Sequence, residues 1–167
     1  MKNYFFTILV LLSVKYLPAQ VNLVPNGNFE DSITCPGTLA QSYNTRYWFS
    51  PTLMTPDYYH QCSSGIVAVP TNNFGTQMPN SGQAYVGIGV YDRGAGTREY
   101  ISIKLYDTLE GQKNYCVQLY VSLGERSTFA VNNMGVLFSD DSIFDSTVFN
   151  LPFPPSCNQS LILADTI

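Results

Sequence analysis

Gln83-Ala84-Tyr85-Val86-Gly87-Ile88-Gly89-Val90-Tyr91 is followed, after six residues, by Arg98-Glu99-Tyr100-Ile101-Ser102-Ile103-Lys104-Leu105. These two runs decide the fold class. In the first, Tyr85, Gly87 and Gly89 fall on one face and Val86, Ile88 and Val90 on the other. In the second, Tyr100, Ser102 and Lys104 alternate with Ile101, Ile103 and Leu105. A period of two is the signature of strands, since successive side chains of an extended chain point to opposite sides. The connection Asp92-Arg93-Gly94-Ala95-Gly96-Thr97 then reads as a hairpin turn. Residues 21–24, 115–123 and 129–138 give further extended runs. Pro25-Asn26-Gly27, Glu110-Gly111-Gln112 and Gly124-Glu125-Arg126-Ser127 supply turns. A 3.6-residue period is almost absent. Several strands at short spacing, separated by Gly and Pro, predict an all-β antiparallel sandwich. Residues 31–82 stand apart as a long loop rich in Tyr, with Trp48 and Phe49. Long loops of that kind in compact domains carry function or are disordered, and this aromatic content argues for order.

Composition excludes several classes. The chain has 167 residues, 45% apolar, 14% aromatic and 12% charged, against about 25% charged in ordinary soluble domains. Disorder needs low hydrophobicity and high net charge, so it is excluded. Twelve Gly and ten Pro exclude a coiled coil. A formal charge of −4 excludes a nucleic-acid partner, which calls for a basic stripe to neutralise phosphates. The length fits one domain.

Residues 1–20 read as a secretory signal peptide. Lys2 gives a positive start, residues 4–14 (YFFTILVLLSV) an apolar stretch, and Pro18-Ala19-Gln20 the cleavage region. Eleven residues are too few to cross about 30 Å of hydrocarbon as a helix. No second long apolar run follows, so the mature chain, residues 21–167, is expected to be exported without a transmembrane segment. Cleavage removes Lys2 and Lys15, leaving six Lys and Arg against twelve acids, a formal charge of −6.

Export permits disulfides. The four cysteines, Cys35, Cys62, Cys116 and Cys157, contain no C-x-x-C, and His60 is the one imidazole, so a structural zinc site is not expected. Cys35–Cys62 is the favoured pair, because both flank an irregular segment that strand pairing would not hold. Cys116, within a strand pattern, reads as a small buried thiol. Cys157 is left either free or paired with Cys116.

An ordered set of motifs resembles a known module. Asn22-Leu23-Val24-Pro25-Asn26-Gly27-Asn28-Phe29-Glu30 resembles the opening strand of galactose-binding-like jelly rolls, a group with many carbohydrate-binding modules. Trp48, Thr55-Pro56-Asp57-Tyr58-Tyr59-His60-Gln61-Cys62, Val69-Pro70, Asn73-Phe74-Gly75 and Ser81-Gly82-Gln83-Ala84-Tyr85-Val86-Gly87 are similar to a module of secreted Bacteroidota surface proteins. So are Arg98-Glu99-Tyr100-Ile101, Tyr120-Val121-Ser122-Leu123 and Val131-Asn132-Asn133-Met134-Gly135. Such proteins are associated with gliding motility or type IX secretion. The resemblance implies a jelly-roll sandwich at the cell surface, within a longer protein. It also implies further strands beyond Ile167, so residues 21–167 are expected to be C-terminally incomplete. Finally, it implies a candidate structural calcium at Glu30, the acid after the first strand, with Asn28 or Asp31 as helpers. The alternative for Glu30 is a surface acid or hydrogen-bond partner.

Catalytic signatures are weak. His60 has no G-x-S-x-G partner motif and reads as a loop histidine among Tyr58 and Tyr59. Asp57 and Glu99 are carboxylates without informative spacing. Asp140-Asp141-Ser142 with Asp145 lacks the alternating ligand pattern of a calcium loop. A sugar site needs aromatic faces and a few planar polar groups. Trp48, Tyr58 and Tyr59, with Arg93 and Arg98 near the hairpin, could supply one; alternatively, Trp48 and the tyrosines pin the long loop to the sandwich. The expected function is an exported, non-catalytic binding module for carbohydrate or another cell-envelope component. The alternative is a structural or adhesive spacer of a larger surface or gliding-motility protein with no small-molecule site.

Overall fold

β2 (Asp57–His60) and β5 (Ala84–Gly87) pair antiparallel, with Asp57 opposite Gly87, Tyr58 opposite Val86, Tyr59 opposite Tyr85 and His60 opposite Ala84. This ladder is the centre of the computed structural model, which describes residues 21–91, 94–131 and 133–160. The expected signal peptide at 1–20, Arg93 and residues 161–167 lie outside the described residues. β1 (Trp48–Phe49) pairs with β6 (Ser102–Ile103), β3 (Thr71–Asn72) with β4 (Gly75–Thr76), and β7 (Asn133–Val136) with β8 (Cys157–Ser160). Two single 3-10 turns, Ser42–Asn44 and Gly65–Val67, complete the regular elements. The protein is all-β, and among the described residues no helix is long and apolar enough to cross a membrane.

Adjacent residues of β2 are buried on opposite faces, which places this strand inside. Tyr58 is 0% exposed and Tyr59 is 2% exposed. Tyr59 joins Val67 and Val69 in the core, with Leu39 and Tyr85 packed against them. Its ring stacks on Tyr85 with centroids 5.0 Å apart, a directly opposed aromatic pair of the kind that stabilises sheets. Gly87 lies under the same ring: a Cβ there would stand 2.8 Å from Tyr59 Cε2. Tyr85 and Gly87 therefore share the face that alternation assigns them.

The long loop is pinned by polar side chains reaching backbone groups. The Asn26 amide donates to the Asp31 and Arg46 carbonyls and accepts from the Asp31 N–H. Ser32 bridges Thr45, and the Ile33 N–H donates to the Asn44 carbonyl. Cys35 and Cys62 form the expected disulfide, with Cα atoms 6.0 Å apart. Cys116 and Cys157 are free and exposed, which corrects the reading of Cys116 as a buried thiol.

The remaining expected strands are shorter than their patterns. Of 83–91, residues 84–87 are in a ladder; of 98–105, residues 102–103; of 129–138, residues 133–136. Residues 115–123 join no ladder among the described residues. One reason is local. Gly89 exchanges both its backbone groups with Glu99 alone, its carbonyl accepting the Glu99 N–H and its N–H donating to Glu99 Oε2 at 2.6 Å. The carboxylate thus takes the N–H that a continuing ladder would use. Each sheet has two strands.

Opening the disulfide frees a 27-residue separation, worth about 3–4 kcal/mol in chain-entropy terms. The double variant Cys35→Ser/Cys62→Ser is expected to lose roughly that stability in urea unfolding, while Cys157→Ser leaves the midpoint within about 0.5 kcal/mol.

Candidate functional site

The two arms of the expected hairpin (residues 88–91 and 98–100), which pair with other strands and not with each other, line an open cleft of about 310 Å³ together with β7 and the segment before β8. Its walls are apolar (Ile88, Val90, Val131, Met134) and aromatic (Tyr91, Tyr100), with Arg98, Glu99, Asn133 and Asn150 as polar groups. The far wall is tied to these arms by two hydrogen bonds: the Arg98 N–H donates to the Val148 carbonyl at 3.1 Å, and the Leu151 N–H donates to the Tyr100 side-chain hydroxyl at 3.2 Å. Residues 145–147 are held from the other side, where Asp145 N–H donates to Pro51 and Leu53 N–H to Thr147.

Arg98 is positioned by an aromatic face. Its guanidinium carbon lies 5.3 Å from the Tyr91 ring centroid, a cation–π arrangement, and Nη1 donates to the Thr97 carbonyl. Phe129 meets Tyr91 edge-on at 5.3 Å. Tyr91 is half exposed, so its ring can offer surface to a ligand. Burial pushes the Glu99 carboxyl above its ordinary value, and repulsion from Asp57 adds to this; backbone N–H groups of Gly89 and Thr55 work against the rise. Asp57 in turn accepts the Ala40 N–H on Oδ1 at 2.6 Å and the Tyr59 hydroxyl on Oδ2 at 2.9 Å. Burial, followed by the Asp57 charge, pushes the Tyr59 hydroxyl far up.

The residues expected to bind sugar are not brought together. The Tyr58 hydroxyl donates to the Phe29 carbonyl at 2.9 Å and the ring is fully enclosed. Tyr59 is the core residue described above. Neither presents a ring face to solvent. Trp48, half-buried, tilts against Phe29 and donates through Nε1 to the Asn26 carbonyl at 2.9 Å; it anchors the loop to the first turn. Arg98 alone of the described candidates lines the cleft. Tyr91, Tyr100, Asn133 and Asn150 were not singled out by their residue types. The signal that finds them is positional: Tyr91 ends one hairpin arm and Tyr100 follows Arg98 on the other.

The donor set expected for calcium does not converge on a cation. Glu30 Oε1 accepts the N–H groups of Gln83 at 2.7 Å and Ala84 at 3.0 Å, where β5 begins. Asp31 is paired with Arg46 at 2.8 Å, and Asn28 is exposed. Among the described residues no three of His, Cys, Asp and Glu gather as metal ligands. Glu30 is thus the hydrogen-bond partner that the alternative reading allowed, and Gly82, at φ +68°, clears space for its carboxylate. A wider depression of about 420 Å³ lies over residues 137–143 and Phe153. It is formed largely by one bend, and its Asp140 and Asp141 gain no third acid, so the hairpin cleft is the better-built site. His60 holds the turn into the disulfide, its Nδ1 accepting the Cys62 N–H at 2.9 Å. No family model, curated protein or solved structure matches the chain.

Glu30→Ala leaves two backbone donors at the start of β5 without their acceptor, which costs about 1–3 kcal/mol. Thermal unfolding is expected to register that loss, whereas a chelator leaves the wild-type midpoint unchanged. For Glu99, the folded protein binds more protons than the unfolded chain above the ordinary carboxyl value of 4.5. Its contribution is full below that pH and declines as pH rises through the folded value. Glu99→Gln is expected to flatten this decline in urea midpoints measured from acid to neutral pH.

Proposed function

We propose that this chain is an exported, non-catalytic binding module that recognises carbohydrate or another cell-envelope component at the bacterial surface. The jelly-roll architecture of galactose-binding-like modules, which the motif set resembles, is the proposed framework for the all-β elements. The observation that carries the reading is the hairpin cleft: apolar and aromatic walls, a half-exposed Tyr91 ring, and an arginine held over that ring. Sugars present C–H faces to aromatic rings and hydroxyls to planar polar groups. A few oriented polar groups in an apolar cleft of about 300 Å³ or more suit such a ligand. Glycoside hydrolysis needs two carboxyl groups flanking one bond. Glu99 is the one carboxylate lining the cleft among the described residues, and it is engaged by Gly89. The disulfide supports export.

A glycan array probed with the full chain tests the reading. Tyr91→Ala and Arg98→Ala are expected to weaken binding tenfold or more, about 1.4 kcal/mol, with melting temperature little changed. Trp48→Ala is expected to lower stability without selective loss of affinity. A silent array favours the spacer role in a larger surface or gliding-motility assembly.

A further inference from the structure

We propose that the cleft beside Tyr91 selects a saccharide carrying a carboxylate, with Arg98 as the residue that reads the acid; this rests on the carbohydrate reading of the same site. The cleft is rich in hydrogen-bond donors and short of free acceptors. Arg98 is the one cation among its described lining residues. A guanidinium holds five N–H donors in a rigid fork and has no acceptor. Here Nη1 donates to the Thr97 carbonyl at 2.8 Å, and the guanidinium carbon lies 5.3 Å from the Tyr91 centroid. Among the described residues no carboxylate forms an ion pair with Arg98. Glu99, the one acid lining the cleft among the described residues, is turned instead to backbone: its Oε2 accepts the Gly89 N–H at 2.6 Å, and Thr55 donates a second N–H. The Tyr100 hydroxyl accepts the Leu151 N–H at 3.2 Å, which leaves its own hydrogen to donate.

An ionised carboxylate complements this set. It only accepts hydrogen bonds, it is planar, and its two oxygens match the guanidinium fork. Arg98 is half-buried beside apolar walls, where attraction between opposite charges is stronger than in open water. Its contacts with Tyr91 and Thr97 restrict the side chain in advance, so less freedom is lost when a ligand arrives. The Asn133 and Asn150 carboxamides, each both donor and acceptor, suit the hydroxyls of a sugar ring, and the exposed part of Tyr91 suits its C–H face. The formal charge of −4 on the whole chain opposes a polyanion. The acid is therefore a single group read at close range on an otherwise neutral saccharide, not one repeat of a densely charged polymer.

Calorimetric titration of the full chain tests the inference. The probes are disaccharides with glucose, galactose or mannose at the non-reducing end, each beside its matching uronic acid, in which a carboxylate replaces the C6 hydroxymethyl group. In at least one of these pairs the uronate is expected to bind tenfold tighter or more, with the preference narrowing as sodium chloride is raised. Arg98→Gln keeps a planar polar group but removes the charge, and is expected to bring the uronate down to its neutral counterpart. Arg98→Lys keeps the charge without the fork and is expected to retain part of the preference. Neutral disaccharides that bind as tightly as their uronates overturn the acid preference and leave the carbohydrate reading standing. So does a uronate preference that Arg98→Gln leaves intact. Binding of none of the six probes overturns both.

Discussion

The burial of Tyr59 is the constraint on which the rest of the structure depends. Its ring closes the core against Val67 and Val69, stacks on Tyr85 and covers Gly87. Its hydroxyl, taken out of water, must be satisfied there, and Asp57 two residues earlier in β2 accepts it. That draws a half-buried carboxylate against the core, and Ala40 donates a backbone N–H to its second oxygen. The long loop is drawn in by this requirement. Burial raises the Glu99 carboxyl, and the Asp57 charge adds to that rise.

What could be read in advance follows from what a sequence pattern encodes. Alternation from Gln83 to Tyr91 predicts which residues share a face, and Tyr85 and Gly87 lie as it says. The Cys35–Cys62 pair was legible because two cysteines flank a segment too irregular to hold itself. The roles of Glu30 and Tyr58 were not legible as such. A carboxylate reads alike whether it meets a cation or two backbone N–H groups 53 and 54 residues away. A tyrosine reads alike whether its ring is offered to a sugar or buried with its hydroxyl on the Phe29 carbonyl. Residues 115–123 show the same limit from the other side. Period two reports that side chains alternate; it does not report that a neighbouring strand is present.

The cleft lies where the two expected hairpin arms pair with other strands, β5 with β2 and β6 with β1, instead of with each other. Between residues 88–91 and 98–100, Gly89 and Glu99 satisfy each other's backbone groups, and the cleft lies beside Tyr91 and Arg98. The polar groups that the cleft offers come from three separate stretches: the hairpin, β7 and the segment around Asn150.

The ring closed by Cys35 and Cys62 encloses β1 and all of β2, and it carries Tyr43, Tyr47 and Leu53 on its outside. These are exposed positions at which a protease would cut. A single nick there does not release a fragment, because the cut ends stay joined through the disulfide while β2 remains paired with β5 and β1 with β6. The backbone at these exposed positions can thus be broken without the structure coming apart.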